Sequence, residues 1–119
     1  MKPHVYHYPA CSTCKKALKF LDVHGVPHER VHIVDSPPSE QLLTDLVQRS
    51  GLQIRAFFNT SGQSYRDGGF KDRLPTLSPS EAIAALAADG KLIKRPLLIA
   101  EDGVLLGFRE DEWRAALLN

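Results

Sequence analysis

The stretch Val5-Tyr6-His7-Tyr8-Pro9-Ala10-Cys11-Ser12-Thr13-Cys14-Lys15-Lys16-Ala17-Leu18 decides how this 119-residue chain is read. Val5–Tyr8 is short, aromatic and β-branched and stops at a proline, which predicts a strand. Helical periodicity follows at once. Cys14, Ala17, Leu18 and Leu21 fall at i, i+3, i+4 and i+7, and Gly25 is placed to end the helix. The cysteine pair therefore stands where strand, turn and helix meet. First-turn N–H groups and the helix dipole favour negative charge there, and the thiolate is the reactive form of cysteine. Thr13 and Ser12 can donate to sulfur, and Lys15 and Lys16 add positive charge at an end where cations otherwise oppose the dipole.

Cys11 and Cys14 are the chain's two cysteines. A bridge between them would close a loop too small to stabilise a fold, so they are not a structural staple. Three readings remain. The first is a pair of inert thiols. The second is zinc, because Cys11-x2-Cys14-x13-His28-x3-His32 satisfies a loose two-Cys, two-His spacing. The order of elements opposes it: a zinc finger carries its cysteines on a hairpin and its histidines on a helix, and here a helix follows Cys14 while His28 and His32 lie in a β-patterned segment. The third is thiol–disulfide chemistry, with Cys11 as nucleophile and Cys14, one turn inward, placed to attack a mixed disulfide at Cys11. The third fits the strand–turn–helix context best.

Outward from this stretch, Val31–Val34 reads as a second strand, giving a β-α-β unit of about thirty residues with parallel strands. Ser36-Pro37-Pro38-Ser39 opens a helix with Leu42, Leu43, Leu46 and Val47, ending at Gly51. Phe57-Phe58 looks buried and Asn59–Gly69 polar and turn-rich. Ser78-Pro79-Ser80-Glu81 is a helix start with serine cap, proline and glutamate in their preferred places. That helix ends at Asp89-Gly90. Leu97–Ile99 and Val104–Leu106 flank Glu101-Asp102-Gly103, a hairpin with Asp-Gly at its turn. A last helix, about Asp111–Leu118, packs Trp113 and Leu117. The fold class is α/β, a central mixed sheet covered by helices, in one domain with a helical insertion over about residues 40–90.

Composition bounds the function. Fifteen basic against fourteen acidic residues argue against nucleic acid or an anionic membrane as the direct partner. The apolar runs fall far short of the ~18 residues of a membrane span. No export signal is visible at the N-terminus, so the expected location is the cytoplasm. A monomer is expected.

The stretch Tyr6–Ala17 resembles the arsenate reductase-like (ArsC/Spx) branch of the thioredoxin superfamily. Phe57-Phe58-Asn59-Thr60 with Tyr65-Arg66, then Asp89-Gly90 through Leu92-Ile93-Lys94-Arg95-Pro96-Leu97-Leu98-Ile99, and Gly107-Phe108 extend the likeness over nearly the whole chain. The resemblance implies a thioredoxin-like fold and a cis peptide before Pro96, facing Cys11. It implies a supporting histidine at His7, and an oxyanion held by Arg95 and Arg109. Asn59 stands where the family's remaining arginine is expected, and losing that guanidinium weakens the grip on arsenate. Cys14 stands where arsenate reductases of this type have serine. The implied activity is a thiol-dependent reductase acting on arsenate, another oxyanion or small disulfides. No bound cofactor is expected, and glutathione, glutaredoxin or thioredoxin would be the external reductant. The two-cysteine motif also looks like that of Spx-type redox-sensing regulators, which bind RNA polymerase.

Other residues read as structural. His4, His24, His28 and His32 are expected at the surface or satisfied, Trp113 and Phe57-Phe58 in the core, and Lys15-Lys16 on a solvated face. The Asn59-Thr60-Ser61-Gly62 loop is expected to be a plain polar turn.

Overall fold

The computed structural model describes residues 2–101 and 103–118. The chain forms two compact units: one takes residues up to His32 and from Arg95 onward, the other is Ile33–Lys94.

In the first unit, β1 (His4–His7), α1 (Ser12–Val23) and β2 (Glu29–His32) form the expected β-α-β unit of two parallel strands, in register from His4↔Glu29 to His7↔His32. β3 (Leu97–Ala100) and β4 (Gly103–Leu106) form an antiparallel hairpin, and β3 pairs antiparallel with β1. The sheet order is β2-β1-β3-β4. Helix α6 (Glu110–Leu117) closes the unit. The apolar stripe of α1 packs Ala17, Phe20 and Leu21 against Val5, Leu98 and Trp113. Trp113 is fully buried and donates its indole N–H to the Gly107 carbonyl at 3.2 Å, which satisfies its polar atom inside the core.

Three boundaries differ from the sequence reading. β1 stops at His7 because the chain turns there, with the Cys11 N–H donating to the Tyr8 carbonyl at 3.0 Å. β2 runs over Glu29–His32 and not 31–34, since β1 offers partners only as far as His7. Ile33 and Val34 lie instead in a turn. Gly103 pairs with Ala100 as the first residue of β4, so the glycine is part of the ladder and not of the turn. The aspartate of the expected Asp-Gly turn, Asp102, lies outside the described residues.

The second unit is helical. α2 (Glu40–Ser50) and α5 (Pro79–Ala88) pack together, the first burying Leu43 and Leu46 and the second Ile83 and Leu86. α2 is capped by Ser39 and ends at Gly51, whose φ of 68° is the left-handed conformation glycine supplies. α5 has the full reciprocal capping box between Ser78 and Glu81. Within the stretch read as turns, two short helices form, α3 (Gln63–Asp67) and α4 (Phe70–Arg73). They are held by an aromatic cluster in which Phe58, Tyr65 and Phe70 have ring centres 5.8 to 6.5 Å apart. One-turn helices carry too few residues to show a 3.6-residue period. Gly90 is buried against the Ile33 carbonyl, and a Cβ there would collide with that backbone.

Candidate active site

Cys11 is the N-cap of α1. Its backbone is extended (φ −88°, ψ 116°), and its sulfur accepts a hydrogen bond from the Cys14 N–H at 3.3 Å. This is the place normally held by Ser, Thr, Asp or Asn, whose oxygen satisfies an orphan first-turn N–H. Here a sulfur takes that bond. No acidic residue lies in the first turn to compete for the helix end. Both cysteines are free thiols, and they differ sharply: Cys11 is half-exposed, whereas Cys14 is 1% exposed.

That difference sets their chemistry apart. The Cys14 thiol is pushed up to about 12, first by burial and then by its hydrogen bond to the Cys11 sulfur. A backbone hydrogen bond from Tyr8 and the Arg95 charge pull weakly the other way. Cys14 is thus a protonated thiol at neutral pH. Cys11 is the sulfur that solvent and a substrate can reach.

Arg95 and Pro96, joined by a cis peptide bond as the resemblance implies, immediately precede β3. The Arg95 guanidinium sits over the Tyr8 ring, 5.1 Å from its centre, which fixes a cation on the cysteine-bearing turn. His7 is the last residue of β1 and lies beside His32, its register partner on β2, with ring centres 6.2 Å apart. Its Nδ1 is buried without a hydrogen-bond partner. Burial holds the His7 imidazole below its ordinary value, with the His32 and Arg30 charges adding to the effect. His32 in turn meets the edge of the Tyr8 ring at 5.7 Å. His32, expected at the surface or satisfied, thus stands opposite His7, a place set by a strand that starts two residues before its β-branched pattern does.

Arg109 follows the β3–β4 hairpin, at the start of α6. It caps α6, is largely exposed, and has Glu112 in the same helix turn as its ion-pair partner at 3.8 Å. Asn59 belongs to the helical unit. Its N–H donates to the Leu92 carbonyl at 2.8 Å and its own carbonyl accepts from the Gly62 N–H at 3.1 Å. Its carboxamide lies over Gly62, where a Cβ would come within 2.6 Å of the side-chain nitrogen.

The zinc spacing does not assemble. His28 is engaged with the Val26 carbonyl at 2.7 Å and with Arg30 at 3.0 Å. Among the described residues no three His, Cys, Asp or Glu side chains converge as a metal site. Nor is any helix there long and apolar enough to cross a membrane.

A mixed four-stranded sheet with a Cys-x-x-Cys pair at the start of its first helix and a cis-proline immediately before β3 defines a thioredoxin-like fold. Within that class the chain belongs to the ArsC family, whose model matches residues 6–116. It is 45% identical over 108 residues to the uncharacterized protein YusI of Bacillus subtilis, covering 91% of this chain and 92% of that one. It is 28% identical to an arsenate reductase of Neisseria meningitidis serogroup B, over 87% of each chain. It is 25% identical to the global transcriptional regulator Spx of Lactococcus lactis subsp. cremoris, over 95% of this chain and 84% of that protein. Among solved structures, a putative ArsC family related protein from Bacteroides fragilis superposes with a TM-score of 0.93 at 43% identity, covering 98% of both chains. A possible arsenate reductase from Streptococcus mutans gives a TM-score of 0.85 at 45% identity, covering 90% of this chain and 91% of that one.

Proposed function

We propose that this protein is a thiol–disulfide oxidoreductase in which Cys11 attacks and Cys14 resolves. The observation that carries the reading is the asymmetry of the pair: a half-exposed sulfur capping α1, hydrogen-bonded by the backbone of a buried, protonated thiol one turn further on. The Cys11 thiolate attacks one sulfur of a disulfide substrate, its S–S bond breaks, and the first thiolate leaves. Cys14 then loses its proton to solvent, attacks the Cys11 sulfur and expels the second thiolate, which leaves a Cys11–Cys14 disulfide. Once Cys11 is in the mixed disulfide its sulfur carries no charge, so that part of the barrier to ionising Cys14 falls away. An external thiol, glutathione or a glutaredoxin- or thioredoxin-like protein, reduces the bridge and restores both thiols.

Arg95 is the group that would hold an anionic part of the substrate, with His7 and Pro96 as supporting residues. Arg109 and Asn59 are the further substrate-binding candidates. Arsenate and other oxyanions form the alternative substrate class, in keeping with the relatives named arsenate reductase. We take the helical stretch as an insertion within a single family domain. The working location is the cytoplasm.

Trapping tests the mechanism. With a small disulfide substrate, Cys14→Ser should accumulate the Cys11 mixed disulfide, visible as an added mass, and Cys11→Ser should form no adduct. Wild-type turnover by Cys14→Ser would show that Cys14 does not resolve. The relative named Spx favours a second reading, a redox-sensing regulator whose Cys11–Cys14 state alters a surface that binds RNA polymerase. Oxidant-sensitive capture of polymerase without catalytic turnover would support that reading over the first.

A further inference from the structure

We propose that the exposed lysine face of α1 beside Cys11 is the docking surface for an acidic-surfaced dithiol protein that reduces the Cys11–Cys14 bridge. The inference rests on the redox reading above and adds the chemistry of the partner.

α1 carries Lys15, Lys16 and Lys19 and one acid, Asp22, which Arg30 neutralises through two hydrogen bonds of 2.7 and 2.9 Å. The chain as a whole is almost balanced, fifteen bases to fourteen acids, so this positive excess is local. All three lysines are exposed, and among the described residues none of their side chains has an ion pair or hydrogen bond. Helix stability does not account for them. Cations in the N-terminal half oppose the macrodipole, and Lys15 and Lys19 are like charges at i, i+4, a destabilising spacing.

Their position does suggest a use. The Lys15 N–H donates to the Cys11 carbonyl at 3.1 Å, one turn from the sulfur, and Lys19 lies ~12 Å from Cys11 along the axis at 1.5 Å per residue. A standard interface covers ~800 Å² on each partner, enough to span this face and the sulfur together. Further along α1, Lys16 and Lys19 line a shallow groove of about 280 Å³ with Phe20, Phe108 and the Arg114–Glu110 ion pair of α6, whose charges cancel at 2.9 Å. Val23 at its end is 69% exposed.

The reaction dictates where the partner must lie. Its thiolate attacks the Cys11 sulfur, the S–S bond breaks, and Cys14 leaves as a thiolate that takes a proton from water. The partner's second thiol then displaces Cys11, so two electrons pass and the partner ends as a disulfide. During the mixed disulfide the partner covers the first turns of α1. An apolar or basic partner would strip water from three unpaired ammonium groups, whereas carboxylates would pair with them and speed the encounter.

The probes are two dithiol peptides of one Cys-x-x-Cys core, one flanked by glutamates and one by lysines, with dithiothreitol as the control that carries no flanking charge. Rates are taken per thiolate on protein oxidised beforehand. At low ionic strength the glutamate peptide should reduce the bridge at least ~10-fold faster than its twin, an advantage that added salt erases. Relative to each variant's own dithiothreitol rate, Lys15→Gln/Lys16→Gln/Lys19→Gln should remove most of that preference, and the triple glutamate variant should invert it. Lys2→Glu, at the opposite end of β1, should leave the preference in place. Equal rates for the two peptides, or a preference that survives both triple variants, would overturn the docking surface. Failure of wild type to form the bridge on oxidation, seen before any peptide is added, would remove the redox reading and this proposal with it.

Discussion

Among the described residues three α-helices begin with a side-chain cap, and one of the three is unlike the others. In the helical unit, Ser39 Oγ accepts from the Leu42 N–H at 3.1 Å and Ser78 Oγ from the Glu81 N–H at 3.2 Å. In the sheet unit the same bond, Cys14 N–H to Cys11, ends on sulfur at 3.3 Å. Serine is the ordinary solution, because oxygen is the stronger acceptor and the cap exists to satisfy an orphan donor. Sulfur is the poorer cap and the better nucleophile. The comparison separates helices built for stability from one whose cap position is given to a reactive group.

The largest effect expected from breaking that distinction is in chemistry and not in folding. Cys11→Ser should remove thiol–disulfide exchange entirely, measured as reduction of a small disulfide. It should leave the urea unfolding midpoint equal to wild type or higher, since serine caps α1 better. Gly90→Ala tests the helical unit at its tightest point. The added Cβ meets the Ile33 backbone, and a loss of ~4–5 kcal/mol or failure to fold is expected by urea titration. Trp113→Ala is the sheet unit's counterpart, with a loss of ~3–5 kcal/mol for emptying a fully buried site. Ser78→Ala should cost ~1 kcal/mol and leave exchange untouched, as a purely structural cap must.

The smallest expected effect is one of pH. His7 titrates below its ordinary value when folded, so the unfolded chain binds more protons over the interval between the two values. Stability is therefore present above ~6.5 and is lost as pH falls through the folded value. The urea midpoint should drop between pH 7.5 and pH 5, and His7→Gln should reduce that drop.

Much of this was legible in the sequence because local signals agreed with one another. Cys14, Ala17 and Leu21 announced α1 by period, Ser78 and Glu81 announced α5 by their box, and the paired apolar runs gave β3 and β4. Cys11 and Cys14 could be assigned to a helix start for the same reason. What stayed hidden depended on partners distant in sequence. The end of β2 is set by where β1 stops, and that same register places His32 beside His7. The short helices α3 and α4 depend on Phe58, Tyr65 and Phe70 meeting, which no local period reports. The burial that makes Cys14 a poor acid is likewise a property of packing and not of the motif.

The central claim is the division of labour between two cysteines, and competitive alkylation measures it most directly. Reduced wild-type protein is treated at pH 8 with a limiting amount of iodoacetamide, and the modified residue is located by peptide mass mapping. The account predicts label on Cys11 with Cys14 unmodified until the chain is unfolded. Label on Cys14 at a comparable rate, or on neither cysteine in the folded protein, would contradict it.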